Sequence, residues 1–253
     1  MIPSDTAQIE VLVHRPHGEE VLPAVVLVHG GSFAFGSTHD HAHFALAKSR
    51  AESGYVVVDV EYRLAPEYPF PAALNDVVAA IRWVRDSASQ LRIRPDAILA
   101  DGISSGGGLA AGAALVLRDA GEDALAGLVL ECPSIDLRPS AAWREEFQQW
   151  NSLPRRDVVR SIYLQDTAPD HPRASPACEE SLDGLPPVHI ATAEVDPLTP
   201  AAENFAARLR EASVPVTVSR HLGVTHGSFL IRGLASSAEW EADVAAAFER
   251  MRG

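Results

Sequence analysis

Short, nearly unbroken apolar runs rich in β-branched residues recur along this chain, separated by longer stretches of helical periodicity. The runs are "AVVLVHGG" (24–31), "YVVVDVEY" (55–62), "AILADG" (97–102), "GLVLECPS" (127–134), "VHIATAE" (188–194) and "VTVSRHL" (216–222). A strand covered on both faces reads this way, because neither set of alternating side chains meets water. Helical patterns occupy 39–53, 71–89, 105–120, 200–212 and 236–252. Such alternation predicts an α/β class chain: a mostly parallel sheet, right-handed crossovers and helices on both faces. "IEVLVHRP" (9–16) alternates instead, which predicts a half-exposed, antiparallel edge strand.

One stretch breaks the rhythm. Residues 136–186 separate neighbouring strands by far more than an ordinary α/β connection. Within them Trp143, Phe147 and Trp150 recur at helical spacing. They fit an amphipathic helix packed on the body, or a lid whose aromatics line a pocket. The stretch is taken as a cap or lid insertion inside one domain spanning 1–253.

Charge narrows the partners. The formal net charge is −13, and Lys48 is the single lysine. With no basic run, the chain has no electrostatic footprint for nucleic acid or an anionic membrane. A neutral or cationic small molecule suits it better. "MIPSDTAQIE" has neither a basic nor an apolar leader region, and no run approaches ~18 apolar residues, so a cytoplasmic location is expected. Cys132 and Cys178 lack metal or redox spacing and are expected as buried thiols rather than a disulfide.

"DGISSGGGLAAG" (101–112) holds two chemistries at once. Gly102, Ser104 and Gly106 form G-x-S-x-G, the strand-to-helix turn that presents a nucleophilic serine. Gly106, Gly108 and Ala111 form G-x-G-x-x-A, with Glu131 about where a ribose-binding acid belongs. The second pattern begins inside the predicted helix, which leaves a pyrophosphate no turn to occupy.

A serine hydroxyl needs a base, an acid to orient that base, and donors for the oxyanion. In an α/β sheet these belong in loops at strand C-terminal ends, in the order Ser, Asp or Glu, His. Ser104 satisfies the glycine spacing, whereas Ser105 does not, because Ile103 stands two residues before it. Asp196 follows the strand 188–194, and Glu194 is its competitor within that strand. His226 lies one loop beyond the last strand. "HGGSFAFG" (29–36), after another strand, can turn backbone N–H groups toward a cavity together with that of Ser105. "HDHAH" (39–43) lacks an acid or cysteine spaced to complete a metal site and reads as a polar helix start. No metal is expected.

Together "HGGSF", "EYRLAPEYPFPAALND" (61–76), "GISSGG" (102–107), "DPL" (196–198) and "HGSF" (226–229) resemble the hormone-sensitive-lipase family of α/β-hydrolases, the bacterial carboxylesterases with an H-G-G-G loop. The resemblance runs from about residue 9 to the C-terminus. It implies an α/β-hydrolase fold and hydrolysis of short-chain carboxylic esters through an acyl-enzyme, without a cofactor. By position, Ser104, Asp196 and His226 would be the triad. Gly31, Ser32 and Ser105 would supply oxyanion N–H groups, with Gly30 shaping the loop. Phe33, Ile103, Trp143, Phe147 and Trp150 are the pocket candidates. Ser32 stands where the family usually has Gly, Ile103 where it often has Asp, and Ser228 intervenes before Phe229. The family commonly begins with cap helices, whereas this chain opens almost at once on a strand, which leaves 136–186 as cover and an open pocket as the expectation. A lactonase, amidase or lyase/cyclase using the same pocket stays open, as does a non-catalytic ligand receptor. A homodimer is an open assembly state.

Overall fold

The computed structural model describes residues 1–139 and 156–252, with the side chain of Arg156 excepted; Trp143, Phe147 and Trp150 lie outside them. The predicted alternation is present. Strands β1 (Ile2–Pro3), β2 (Gln8–His14), β3 (Leu22–Val28), β4 (Val56–Glu61), β5 (Ile93–Ile103), β6 (Gly127–Glu131), β7 (Val188–Val195) and β8 (Val216–Thr225) form one eight-stranded sheet. Its order is β1-β2-β4-β3-β5-β6-β7-β8. From β4 to β8 neighbouring strands pair parallel; β1 and β2 add antiparallel pairs at one side. The edge expected for 9–16 is corrected here, because the two-residue β1 pairs outside β2 through Ile2 and Ile9.

Seven helices are described: α1 (His41–Glu52), α2 (Ala72–Asp86), α3 (Ala88–Leu91), α4 (Ser105–Asp119), α5 (Arg156–Tyr163), α6 (Thr199–Glu211) and α7 (Ala235–Met251). The period-2 alternation of the strands sorts their side chains into two layers. Val26, Val28, Val58, Ile98, Ala100, Leu128 and Leu130 join the larger core with α2, α4 and α6. Val25, Leu27, Val57, Leu99 and Val129 face the other way, toward residues of α1 and α7. Val25 to Val28 have no exposed area at all. Burying each such side chain contributes roughly 1.5–3 kcal/mol, which is why both faces must be covered.

The same alternation carries three acids inward. Asp59, Asp101 and Glu131 continue the series of Val57, Leu99 and Val129 on the α1–α7 side, and each is fully buried. On α1, His43 and Arg50 stand seven residues apart, two turns along one helix face. His43 meets Asp59, and Arg50 meets Asp101 and Glu131. Helix α1 thus docks through charge as well as through Leu46 and Ala47.

Candidate active site

Strand β5 ends at Ile103 and α4 begins at Ser105, which leaves Ser104 alone in the turn. Its φ of 54° is a left-handed conformation that a side chain rarely adopts, held here by hydrogen bonds from Ser104 N–H to Glu131 O and from Ser134 N–H to Ser104 O. The flanking glycines are there for space. A Cβ on Gly102 would meet Gly106 O at 2.4 Å, and one on Gly106 would meet Val28 O at 2.1 Å. Gly108 packs likewise against Ser134 O, at 2.3 Å from such a Cβ. The glycines of the rejected dinucleotide pattern therefore let α4 lie close to the sheet. Its acid, Glu131, is sealed against Arg50 and cannot reach a ribose.

His226 bridges the two other predicted residues. Its Nε2 is 2.9 Å from Ser104 Oγ, and its Nδ1 is 2.8 Å from Asp196 Oδ2. The carboxylate accepts from Nδ1–H, which leaves the Nε2 lone pair free to accept the Ser104 hydroxyl proton. Asp196 is fully buried, and its other oxygen accepts the Leu198 N–H at 2.9 Å. Both oxygens are thus tied, which fixes the carboxylate toward the imidazole. Glu194 turns elsewhere: it is exposed and accepts the Gly223 N–H at 2.8 Å.

Cys132 stands close by, with its sulfur, an Asp196 oxygen and a His226 nitrogen all within 4.8 Å of one another. Burial, and then the charge of Asp196, push its thiol well above the ordinary range. Both His226 nitrogens already have partners, Ser104 Oγ and Asp196 Oδ2. The three residues do not suit a metal. Cys132 is buried and Cys178 half-buried, and both are free. Of the "HDHAH" histidines, His41 is exposed, His39 approaches Glu10 at the surface, and His43 turns inward to Asp59 at 2.7 Å, so they share no centre.

A cavity of about 490 Å³ opens over Ser104, lined by Gly30, Gly31, Ser32, Phe35, Ile103, His43, Asp40, His226 and Leu230 among others. Its glycine loop is a sharp turn in which Gly31, Ser32 and Phe33 all have positive φ, at 128°, 54° and 64°. A Cβ on Gly31 would lie 1.9 Å from Phe35 O, so only glycine fits. Among the described residues the N–H groups of Gly31 and Ser32 donate to no protein acceptor. Ser105 N–H opens α4, where the helix itself offers no partner. The Ser105 side chain is buried beneath the turn.

Phe33 does not line the cavity, contrary to expectation. The turn sends it into the core, where it stacks on Tyr163 with centroids 3.8 Å apart, and Phe35 takes the cavity wall instead. His29 shapes the loop from below. Its ring stacks on Tyr62 at 4.1 Å, and its Nδ1–H donates to Gly30 O at 2.7 Å. Burial lowers its basicity, which keeps the ring neutral.

The Arg50 cluster lies just beneath. Arg50 Nε is 3.0 Å from Asp101 and its NH2 2.8 Å from Glu131, while Trp240 Nε1–H donates to the second Glu131 oxygen. Burial, and then the charge of Glu131, push the Asp101 carboxyl well above the usual range despite Arg50. One guanidinium thus faces two buried acids, of which Asp101 is made harder to ionise. Sequence reasoning passed over this cluster, although an acid closing each apolar run was a visible sign.

Comparison with known proteins agrees with this fold. A family model described as the alpha/beta hydrolase fold matches residues 25–230. The carboxylic ester hydrolase LipN of Mycobacterium tuberculosis is 34% identical over 237 residues, covering 89% of this chain and 62% of that protein. The carboxylesterase NlhH of the same organism is 36% identical, over 81% of this chain and 66% of that one. This chain therefore spans a little under two thirds of the length of these relatives. Among solved structures, an esterase of Pyrobaculum calidifontis superposes with a TM-score of 0.91 at 36% identity, covering 99% of this chain and 83% of that one. The carboxylesterase EstE1, from a metagenomic library, gives 0.90 at 33%, covering 100% and 87%. With its parallel sheet, its serine on the β5–α4 turn and these similarities, the chain belongs to the hormone-sensitive-lipase family of α/β-hydrolases.

Proposed function

We propose that this chain is a serine carboxylesterase acting on short-chain esters, with Ser104 as nucleophile, His226 as base and Asp196 as its orienting acid. The observation that carries the proposal is the continuous chain of hydrogen bonds from Ser104 through His226 to Asp196 at the floor of an open cavity. Ser104 Oγ attacks the ester carbonyl carbon as its proton passes to His226 Nε2. The tetrahedral intermediate expels the alcohol, which takes that proton from the imidazolium. Water then repeats the sequence on the acyl-enzyme, releasing the acid and restoring Ser104. Asp196 holds the Nδ1–H tautomer throughout and stabilises the transient imidazolium.

Gly31, Ser32 and Ser105 supply the N–H donors for the oxyanion, each worth on the order of 3 kcal/mol. Their positions around Ser104, unspent on other acceptors, support this role. Gly30 leaves little room for a side chain, since a Cβ would lie 3.2 Å from Ile103 O, and it keeps the loop close to the serine.

Of the insertion, the described residues 136–139 and 156–186 are read as part of the single domain. In support, Leu137, Val159, Tyr163 and Ala174 join the same core as β3 and β5. An open cavity of this size gives little return for further methylenes, each worth about 0.8 kcal/mol only when fully buried. Hydrolysis of p-nitrophenyl esters is therefore expected to peak between acetyl and butyryl and to fall beyond about six carbons. A panel of such esters, amides and lactones, assayed with the wild type and Ser104→Ala, tests the proposal. Turnover surviving in Ser104→Ala, or amides or lactones cleaved in preference to every ester, would refute it.

A further inference from the structure

One side of the cavity wall takes no role in the chemistry above. His43, in the first turn of α1, is 6% exposed and lines the cavity. Its Nε2 lies 2.7 Å from Oδ1 of the sealed Asp59. A carboxylate can only accept, so Nε2 carries a proton, and in a neutral imidazole the lone pair then falls on Nδ1. That nitrogen makes no hydrogen bond within the protein. Asp59 thus sets the tautomer of His43 just as Asp196 sets that of His226.

Among the neighbouring polar groups, His29, also on the wall, spends its Nδ1–H on Gly30 O, while its Nε2 is sealed from the cavity, without a partner among the described residues. Asp40 adds a carboxylate, one oxygen of which accepts the Ser37 N–H at 3.0 Å. The Ser37 hydroxyl already donates to Glu61 at 3.0 Å. The Ser32 hydroxyl both donates and accepts, and so does not discriminate. Asp40 thus adds negative charge beside the His43 lone pair in a cavity also lined by Ile103 and Leu230.

We propose that His43 is a specificity-determining residue: its Nδ1 accepts a hydrogen bond from a hydroxyl or protonated amine on the ester substrate, so that donor-bearing esters are preferred to plain alkyl esters and to carboxylated ones. The proposal rests on the ester-hydrolase function of the site. A plain alkyl group would cover the Nδ1 lone pair without replacing its water, and a carboxylate would face that lone pair and Asp40. The net charge of −13 disfavours anions in the same direction.

The test compares kcat/KM by pH-stat for ethyl butanoate, ethyl 3-hydroxybutanoate, ethyl 3-aminobutanoate and the anion of monoethyl succinate. Butyl acetate and 4-hydroxybutyl acetate repeat the comparison on the alcohol side. In at least one series the donor-bearing ester is expected to exceed its alkyl partner by about three- to tenfold, the range of one hydrogen bond, with the succinate the poorest acyl-series substrate. The ratio should collapse toward one in His43→Phe and persist in His43→Gln, whose amide oxygen is again an acceptor. Equal rates for donor and alkyl esters in the wild type, preference for the anion, or an undiminished ratio in a folded His43→Phe would each overturn the proposal. Should His43→Phe not fold, the wild-type ratio and His43→Gln still decide. Should no ester be hydrolysed, the ester-hydrolase function fails instead. Calorimetric binding of the same esters to Ser104→Ala then decides the role of the wall: tighter binding of the hydroxy ester supports it, and equal binding refutes it.

Discussion

Two polar clusters meet at the C-terminal ends of β5 and β6, and they differ chiefly in what can reach them. Ser104 and His226 border the cavity, with the His226 side chain 10% exposed and Asp196 sealed behind it. Arg50, Asp101 and Glu131 lie one layer down, the arginine 4% exposed and both acids sealed. Each joins a nitrogen side chain to buried acid, and the hydrogen bonds are largely satisfied, Asp101 Oδ1 excepted. The upper cluster carries one removable proton beside a space where substrate can sit. The lower one has no such space, and its charges hold α1 and α7 to the strands that present the serine. A buried charge set is thus reactive or structural according to its access, and substitutions should separate the two.

The largest effect belongs to the upper cluster. Ser104→Ala is expected to lower kcat by about 10⁶, while its midpoint in urea stays level or rises, because the substitution removes no buried charge. Stopped assays and a denaturation curve on one preparation check both. Asp196→Asn comes next, with a loss of roughly 10⁴ in kcat, since an amide can hold the wrong imidazole tautomer. Glu194→Gln should leave kcat unchanged; damage from it in place of Asp196→Asn would move the acid to β7.

In the lower cluster the sign reverses. Arg50→Met is expected to destabilise by about 3–5 kcal/mol, because Glu131 is left buried without its countercharge. Turnover per folded molecule should change far less than in Asp196→Asn, measured by active-site titration beside urea unfolding. Asp101→Asn should be the mildest, within about 1 kcal/mol at neutral pH, since the amide resembles the protonated form that burial favours. Its signature is a slope. With its range raised by burial, Asp101 binds a proton more tightly in the native protein than in the unfolded chain, which releases it above about pH 4. Wild-type stability therefore declines from there upward through the raised range of Asp101, and Asp101→Asn should lack that decline. Urea midpoints between pH 4 and 9 compare the two directly.

The upper cluster was legible because each member ends a strand and the motifs are local. Gly102-x-Ser104-x-Gly106 needs no long-range knowledge, and Asp196 and His226 follow in the order the sheet requires. The lower cluster was not, since Arg50 meets acids fifty-one and eighty-one positions away. Helix α1 also hides its buried face, because His43 and Arg50 stand on it where apolar residues would mark an amphipathic helix. The two-residue β1 is too short for any periodicity. Phe33 and Phe35 exchange places because three successive residues of their loop have positive φ, where neither helical nor strand spacing tells a side chain's direction.

The central claim is that Ser104 is the attacking atom's residue, poised by His226. Labelling the native protein with a fluorophosphonate and mapping the adduct by tandem mass spectrometry tests it most directly. A single adduct on Ser104, absent from Ser104→Ala and strongly slowed in an otherwise folded Asp196→Asn, is the predicted result. An adduct on Ser105, or labelling that persists unchanged in Ser104→Ala, would contradict it.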